Sequence, residues 1–142
     1  MSRASWRLAV LSTVLALAVW WTTGAATVVQ LVYVGAVEST VWRGIEQGLR
    51  EANILGGYTG YTYHVQTIDP VALLAAADQQ LPLAVIAATD AETLQRLSAR
   101  FATAGVAVLN LTADDEGLRQ ACLPNLLHIA PSARMKADAV AQ

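Results

Sequence analysis

A single cysteine, Cys122, in 142 residues leaves no disulfide that can close within the chain. Charge is sparse as well: Asp, Glu, Lys and Arg together make up 14% of the sequence, against 55% hydrophobic residues. Once Arg3 and Arg7 are set aside, seven basic residues face eleven acidic ones from Thr27 onward. The basic residues are scattered, and a net charge of about −4 gives a nucleic-acid partner no electrostatic support. The signatures of common enzymes are missing too. There is no G-x-S-x-G nucleophile elbow, no G-x-x-x-x-G-K-S/T phosphate loop and no G-x-G-x-x-G after the first apolar run, where Gly35 stands alone. The two histidines, His64 and His128, lie far apart and have no companions at metal-ligand spacing. Neither a metal nor a cofactor is expected, and both histidines read as structural residues with one satisfied nitrogen. Internal repeats and low-complexity linkers are absent, and the length suits one layered domain.

The first part of the chain reads as an export signal. Arg3 and Arg7 precede an uncharged run, Leu8 to Trp21, and the small residues Thr22 to Ala26 follow it. This predicts a signal peptide over residues 1–26, cleaved after Ala26, with the globular part in 27–142. The run is short against the roughly 20 residues of a membrane span. An uncleaved anchor with Trp20 and Trp21 at the interface is the alternative. Both readings export the globular part. Cys122 would then meet an oxidising compartment, which suggests a disulfide to a segment outside this chain or a plain buried thiol.

Beyond the signal, apolar runs of strand length alternate with segments of helical period. Val28 to Val37 is rich in β-branched residues and predicts a first central strand. Glu38 to Thr40 forms a polar turn. Val41, Ile45, Leu49, Ala52 and Leu55 then share one helical face, and Gly56-Gly57 is expected to stop that helix. Tyr61 to Ile68 alternates like a strand near a sheet edge, with Tyr61, Tyr63, Val65 and Thr67 on one face. Asp69-Pro70 caps an alanine-rich helix over Val71 to Leu81. Leu83 to Ala88 is an unbroken apolar run that predicts a central strand buried on both faces. After it, Asp90 caps a helix carrying Leu94, Leu97, Phe101 and Ala104, and Gly105 ends it. Val106 to Leu111 makes a fourth strand and Thr112 to Asn125 a long polar loop. Leu126 to Ala130 makes a fifth strand, and Pro131-Ser132 opens a last helix. This alternation predicts an α/β fold with a doubly wound parallel sheet in the order 2-1-3-4-5.

Three stretches carry a resemblance. The helix with Gly44, Gly48, Glu51, Asn53 and Gly56-Gly57, the strand ending Ala87-Ala88-Thr89-Asp90, and the segment from Val106 through Asn110 and Thr112 to Pro131-Ser132 together resemble the type 1 periplasmic binding proteins. These are substrate-binding subunits of ABC importers for branched-chain amino acids and related solutes. The wording Cys122-Leu123-Pro124-Asn125-Leu126-Leu127-His128, with Ala137-Asp138-Ala139-Val140-Ala141-Gln142, is most similar to a branch associated with quinone (PQQ)-dependent alcohol dehydrogenase systems. The match covers the first part of the family's amino-terminal lobe, so the chain resembles a truncated N-terminal lobe. The resemblance implies a periplasmic solute-binding subunit without catalysis of its own, which captures a small organic solute between two lobes and delivers it to a membrane permease. A lobe that supplies half a cleft is expected to bind weakly or not at all by itself. The alternative is a membrane-tethered sensory or interaction domain of the same fold. A response-regulator-like domain shares the strand order, but Glu38 alone does not make the acidic cluster it needs after the first strand.

The resemblance places ligand against Glu38 and Ser39, Ala88, Thr89 and Asp90, and Asn110 and Thr112. The hydroxyls of Thr89 and Thr112 can each donate once and accept, and N–H groups at the following helix starts can hold a carboxylate. Each residue also has a plain structural role open to it: Asp90 as a helix cap, Thr89 and Asn110 as strand-end residues, and Asp114 and Asp115 as solvated loop charges. Tyr33 and Trp42 read as core or cleft-edge aromatics.

Overall fold

The computed structural model describes residues 26–76 and 81–141. The expected signal peptide, apart from Ala26, lies outside the described residues. Five parallel strands form one sheet: β1 (Thr27–Val34), β2 (Tyr61–Thr67), β3 (Ala84–Ala87), β4 (Ala107–Asn110) and β5 (Leu126–His128). Their order is β2-β1-β3-β4-β5, as the alternation predicts. The helices are α1 (Thr40–Thr59), α2 (Pro70–Ala75), α3 (Ala91–Ala102), α4 (Glu116–Gln120) and α5 (Ala133–Ala141). Among the described residues no helix is long and apolar enough to cross a membrane.

Register sorts the strand residues into two faces. Val32, Val85, Val108 and Leu126 follow one another across the sheet, with Val34 and Ala87 beside them, and all are buried. Leu73 of α2, Leu94, Leu97 and Phe101 of α3 and Leu118 of α4 pack on this side and complete the core. Full burial of each large apolar side chain stabilises by roughly 1.5–3 kcal/mol, so this side carries most of the stability. The opposite side is less covered. There α1 packs on β2 and leaves beside it an apolar groove of about 410 Å³, lined by Leu31, Ile45, Leu49, Ile86, Leu109 and Leu111. Ile86 is therefore half-buried, and β3 is closed on one face rather than on both.

Several boundaries differ from the sequence reading. The glycine pair does not stop α1, which runs through Gly56-Gly57 to a C-cap at Gly60. Gly60 sits at φ 77°, a left-handed conformation that suits glycine, and its N–H reaches the Gly56 carbonyl. Gly56 is there because the helix approaches the start of β2: a Cβ on it would lie 2.3 Å from the Tyr61 carbonyl oxygen. Leu55, expected on the buried face, is 67% exposed. Asn53 fixes the same contact, donating from Nδ2 to the Tyr63 carbonyl at 3.0 Å and accepting from the Tyr63 N–H at 2.7 Å. These bonds occupy the outer edge of β2 as a neighbouring strand would.

Helix α2 is shorter than expected. It ends at Ala75, because Ala76 turns to an extended ψ of 143° and nothing after Leu74 is buried before the described segment ends. The residues 77–80 expected to continue it lie outside the described residues. The polar loop after β4 contains the five-residue α4, capped by the Asp115 carboxylate on the Leu118 N–H at 2.7 Å. Asp115 is exposed, as expected of a loop charge, and serves as a cap as well, while Leu118 plugs the core. Cys122 follows α4 at φ 47° and is exposed, so it is not a buried thiol. Asn125 ties α3 to β5: it donates to the carbonyls of Ser98 and Val106 and accepts from the Ser98 hydroxyl at 2.6 Å.

Candidate functional site at the carboxyl edge of the sheet

Val34, Ala87, Asn110 and His128 are register partners across β1, β3, β4 and β5. The segments that follow them, Gly35 to Ser39, Ala88 to Asp90 and Leu111 to Asp114, therefore emerge side by side at one edge. Backbone bonds hold them there: the Ala88 N–H donates to the Val34 carbonyl at 2.8 Å and the Leu111 N–H to the Ala87 carbonyl at 2.9 Å. The edge is where ligands enter open parallel sheets, outside the carboxyl ends of the strands.

The turn after β1 rests on an aromatic pair. Tyr33 is fully buried with its ring 4.9 Å from that of Trp42, and its hydroxyl donates to the Ala36 carbonyl. Gly35 is required beneath the turn, since a Cβ there would meet the Tyr33 ring. Ser39 caps α1, accepting from the Trp42 N–H at 3.1 Å while its hydroxyl donates to the Ala36 carbonyl at 2.7 Å. Glu38 is exposed beside it. The first turn of α1 carries no acidic residue, which leaves its N-terminus the open positive end of a helix dipole.

Thr89 and Asp90 are tied to each other. Asp90 accepts from the Thr93 N–H at 2.9 Å, from the Thr93 hydroxyl at 2.9 Å and from the Thr89 hydroxyl at 3.1 Å. The Thr93 N–H and hydroxyl, in that order, hold the Asp90 carboxyl down at about 2. It is a helix cap, and its charge faces solvent. The Thr112 hydroxyl donates across to the Thr89 carbonyl at 3.3 Å, which joins the β3 and β4 loops.

Asn110 lies deeper than its neighbours, at 0% exposure. Its Oδ1 accepts from the N–H groups of Thr112 at 3.1 Å and Ala113 at 2.9 Å, and its Nδ2 donates to the Ala113 carbonyl at 2.7 Å and meets His128 Nδ1 at 3.1 Å. Its side chain shapes the loop and does not face the edge. Asp114 accepts from Lys136 of α5 at 2.8 Å, and that hydrogen bond and charge lower its carboxyl pKa. Desolvation, and then the positive charge of Arg119, lower that of His128. Arg119 itself donates to the Ala130 carbonyl. Among the described residues no group of His, Cys, Asp and Glu is placed to hold a metal ion.

Of the residues expected at a site, Ser39, Ala88, Thr89, Asp90 and Thr112 come together at this edge with Glu38 on its rim. The sequence reading missed that Asn110 acts through the loop, and it missed His128 as its partner. Laying the ends of VAVLN and LLH against each other as adjacent strands is the signal that would have paired them.

No protein-family model matches the chain, and no curated protein matches it. Among solved structures it is similar to an ABC transporter substrate-binding protein from Desulfitobacterium hafniense, with a TM-score of 0.64 and 18% identity. An ABC transporter substrate-binding protein from the same organism in complex with Leu gives a TM-score of 0.66, also at 18% identity. The likeness is one of fold. It covers 81% of this chain and 37% of the other, so the chain spans little more than a third of the neighbour's length. The five-stranded parallel sheet with its helices is the fold that the two share.

Proposed function

We propose that the carboxyl edge of this sheet is one wall of a solute-binding cleft, and that the chain is part of an exported substrate-binding subunit of an ABC importer. The observation that carries the reading is the convergence of the three loops at one edge of a fold similar to a substrate-binding protein seen with Leu. The chemistry of the edge suits a small zwitterionic or polar organic solute. The open N-terminus of α1 offers N–H groups to a carboxylate, while Glu38 and the ionised Asp90 offer negative charge to an ammonium group. The hydroxyl and carbonyl of Thr89 and the hydroxyl of Thr112 supply the neutral contacts. Delivery to a membrane permease, periplasmic residence after cleavage at Ala26, and kinship with the branch linked to PQQ-dependent alcohol dehydrogenases complete the proposal.

One wall gives weak affinity. Titration calorimetry of the chain with leucine and other small amino acids is expected to give a Kd of millimolar order or weaker, about −4 kcal/mol or less in magnitude. Tight, saturable binding would overturn the half-cleft reading.

A further inference from the structure

We propose that His128 is a positioning residue: its neutral imidazole latches the Asn110–Ala113 turn, and with it Thr112, at the carboxyl edge, and protonation releases the latch. The neighbours of the Asn110 amide fix its orientation. Two backbone N–H groups, of Thr112 and Ala113, point at one of its terminal atoms, and only oxygen can accept both. The other atom is therefore the nitrogen. One of its hydrogens goes to the Ala113 carbonyl, and the other points at His128 Nδ1. Nδ1 must then be the acceptor, so the imidazole proton sits on Nε2.

The backbone allows the pair little room to rearrange. Asn110 and His128 are register partners, and the Asn110 carbonyl accepts from the N–H groups of Ile129 at 2.9 Å and Ala130 at 3.2 Å. An imidazolium would place an N–H against the amide N–H. Relief requires either an amide flip, which loses both bonds at Oδ1, or a turn of the ring out of the corner. Both free the turn from β5.

The charged groups on the surrounding elements are Arg119 and Glu116 of α4, Asp114 of the loop and Lys136 of α5. Asp114 is engaged by Lys136, and Arg119 is the group whose charge acts on His128 and opposes a second positive charge there. Strand β4 contributes the neutral Asn110. The latch accordingly holds near neutral pH and opens as pH falls below the usual imidazole range. The consequence for solute capture, weaker binding in acid, rests on the proposed cleft. The latch itself does not.

The test therefore uses the chain without solute. Nuclear magnetic resonance of the 15N-labelled protein from about pH 7.5 to about pH 5 reads the tautomer of His128, the Asn110 side-chain amide and the amides of Thr112 and Ala113. The expected result is the Nε2–H tautomer at the start of the titration. The Asn110 and Thr112 signals should then move with the His128 ring, and the protection of the Thr112 and Ala113 amides, taken against the intrinsic exchange rate at each pH, should fall about tenfold or more. His128→Gln keeps an acceptor that does not titrate and should hold these signals flat over the same range. An Nδ1–H tautomer, a turn that ignores the His128 titration, or an unchanged pH response in His128→Gln would overturn the proposal. If that variant does not fold, the tautomer and the coincidence of the wild-type titrations still decide it.

Discussion

Gly56 and Gly57 are neighbours in α1, and a single methyl group should act on them in opposite directions. At Gly56 the new Cβ would stand 2.3 Å from the Tyr61 carbonyl oxygen and 3.2 Å from its carbon, both backbone atoms that no rotamer change can move. The helix must lift from β2, at an overpacking cost of about 1–3 kcal/mol. Lifting also stretches the two Asn53 bonds to Tyr63, each contributing about 0.5–1.5 kcal/mol. Replacing a helical glycine with alanine returns about 1 kcal/mol. The balance is a loss of roughly 2 kcal/mol for Gly56→Ala. At Gly57 a Cβ meets nothing within 4 Å, so Gly57→Ala keeps the helix term alone and should gain about 0.5–1 kcal/mol. With a urea slope of about 2 kcal/mol/M, the two variants should have unfolding midpoints separated by about 1.5 M, on either side of the wild type. Equal shifts, or a Gly56→Ala chain as stable as the wild type, would refute the close-approach argument.

Asp90→Ala should cost about 1 kcal/mol in a neutral-pH urea titration, the usual loss for an N-cap. The carboxyl is held at about 2 in the fold, below its unfolded value of about 3.9, so as pH falls the unfolded chain takes up the proton first. The wild type's advantage over Asp90→Ala should be whole above about pH 4 and fade toward pH 2, and an advantage that is constant with pH contradicts the cap. Asn125→Ala leaves the Ser98 hydroxyl and the carbonyls of Ser98 and Val106 without their partner. It should lower stability by roughly 2–4 kcal/mol in the same titration, and a loss below about 0.5 kcal/mol would show that these groups find water instead.

Strand order was legible because β1 to β4 are short runs containing β-branched residues, and the connections between them carry either a helical period or a cap followed by proline. What escaped the reading was set by contacts between segments. Helix α4 is one turn long, too short to show a period, and its signals were one acidic cap and Leu118. The glycine pair carries the local signature of a helix stop, yet Gly56 answers to Tyr61 across the turn into β2. Leu55 fits the apolar stripe by spacing, but Ile45, Leu49 and Ala52 of that stripe are half-buried, facing the groove, and its end stays outside. At the edge, Ser39 and Asp90 were readable as candidate residues because strand ends and helix starts meet there. Asn110 is polar at a strand end, which fits a ligand contact as well as a loop brace. The distinction depends on a partner eighteen residues away in sequence, visible only once β4 and β5 are in register.

The central claim is that the carboxyl edge is the solute-binding face, and location tests it more directly than affinity. Amide chemical-shift mapping of the 15N-labelled chain with leucine at several millimolar, near the weak-binding range expected, should move Glu38 to Thr40, Ala88 to Asp90 and Thr112 to Asp114 together. The apolar groove beside α1 should stay unchanged. Shifts centred on Leu31, Ile86 and Leu109 in that groove, with the edge loops unmoved, would contradict the account.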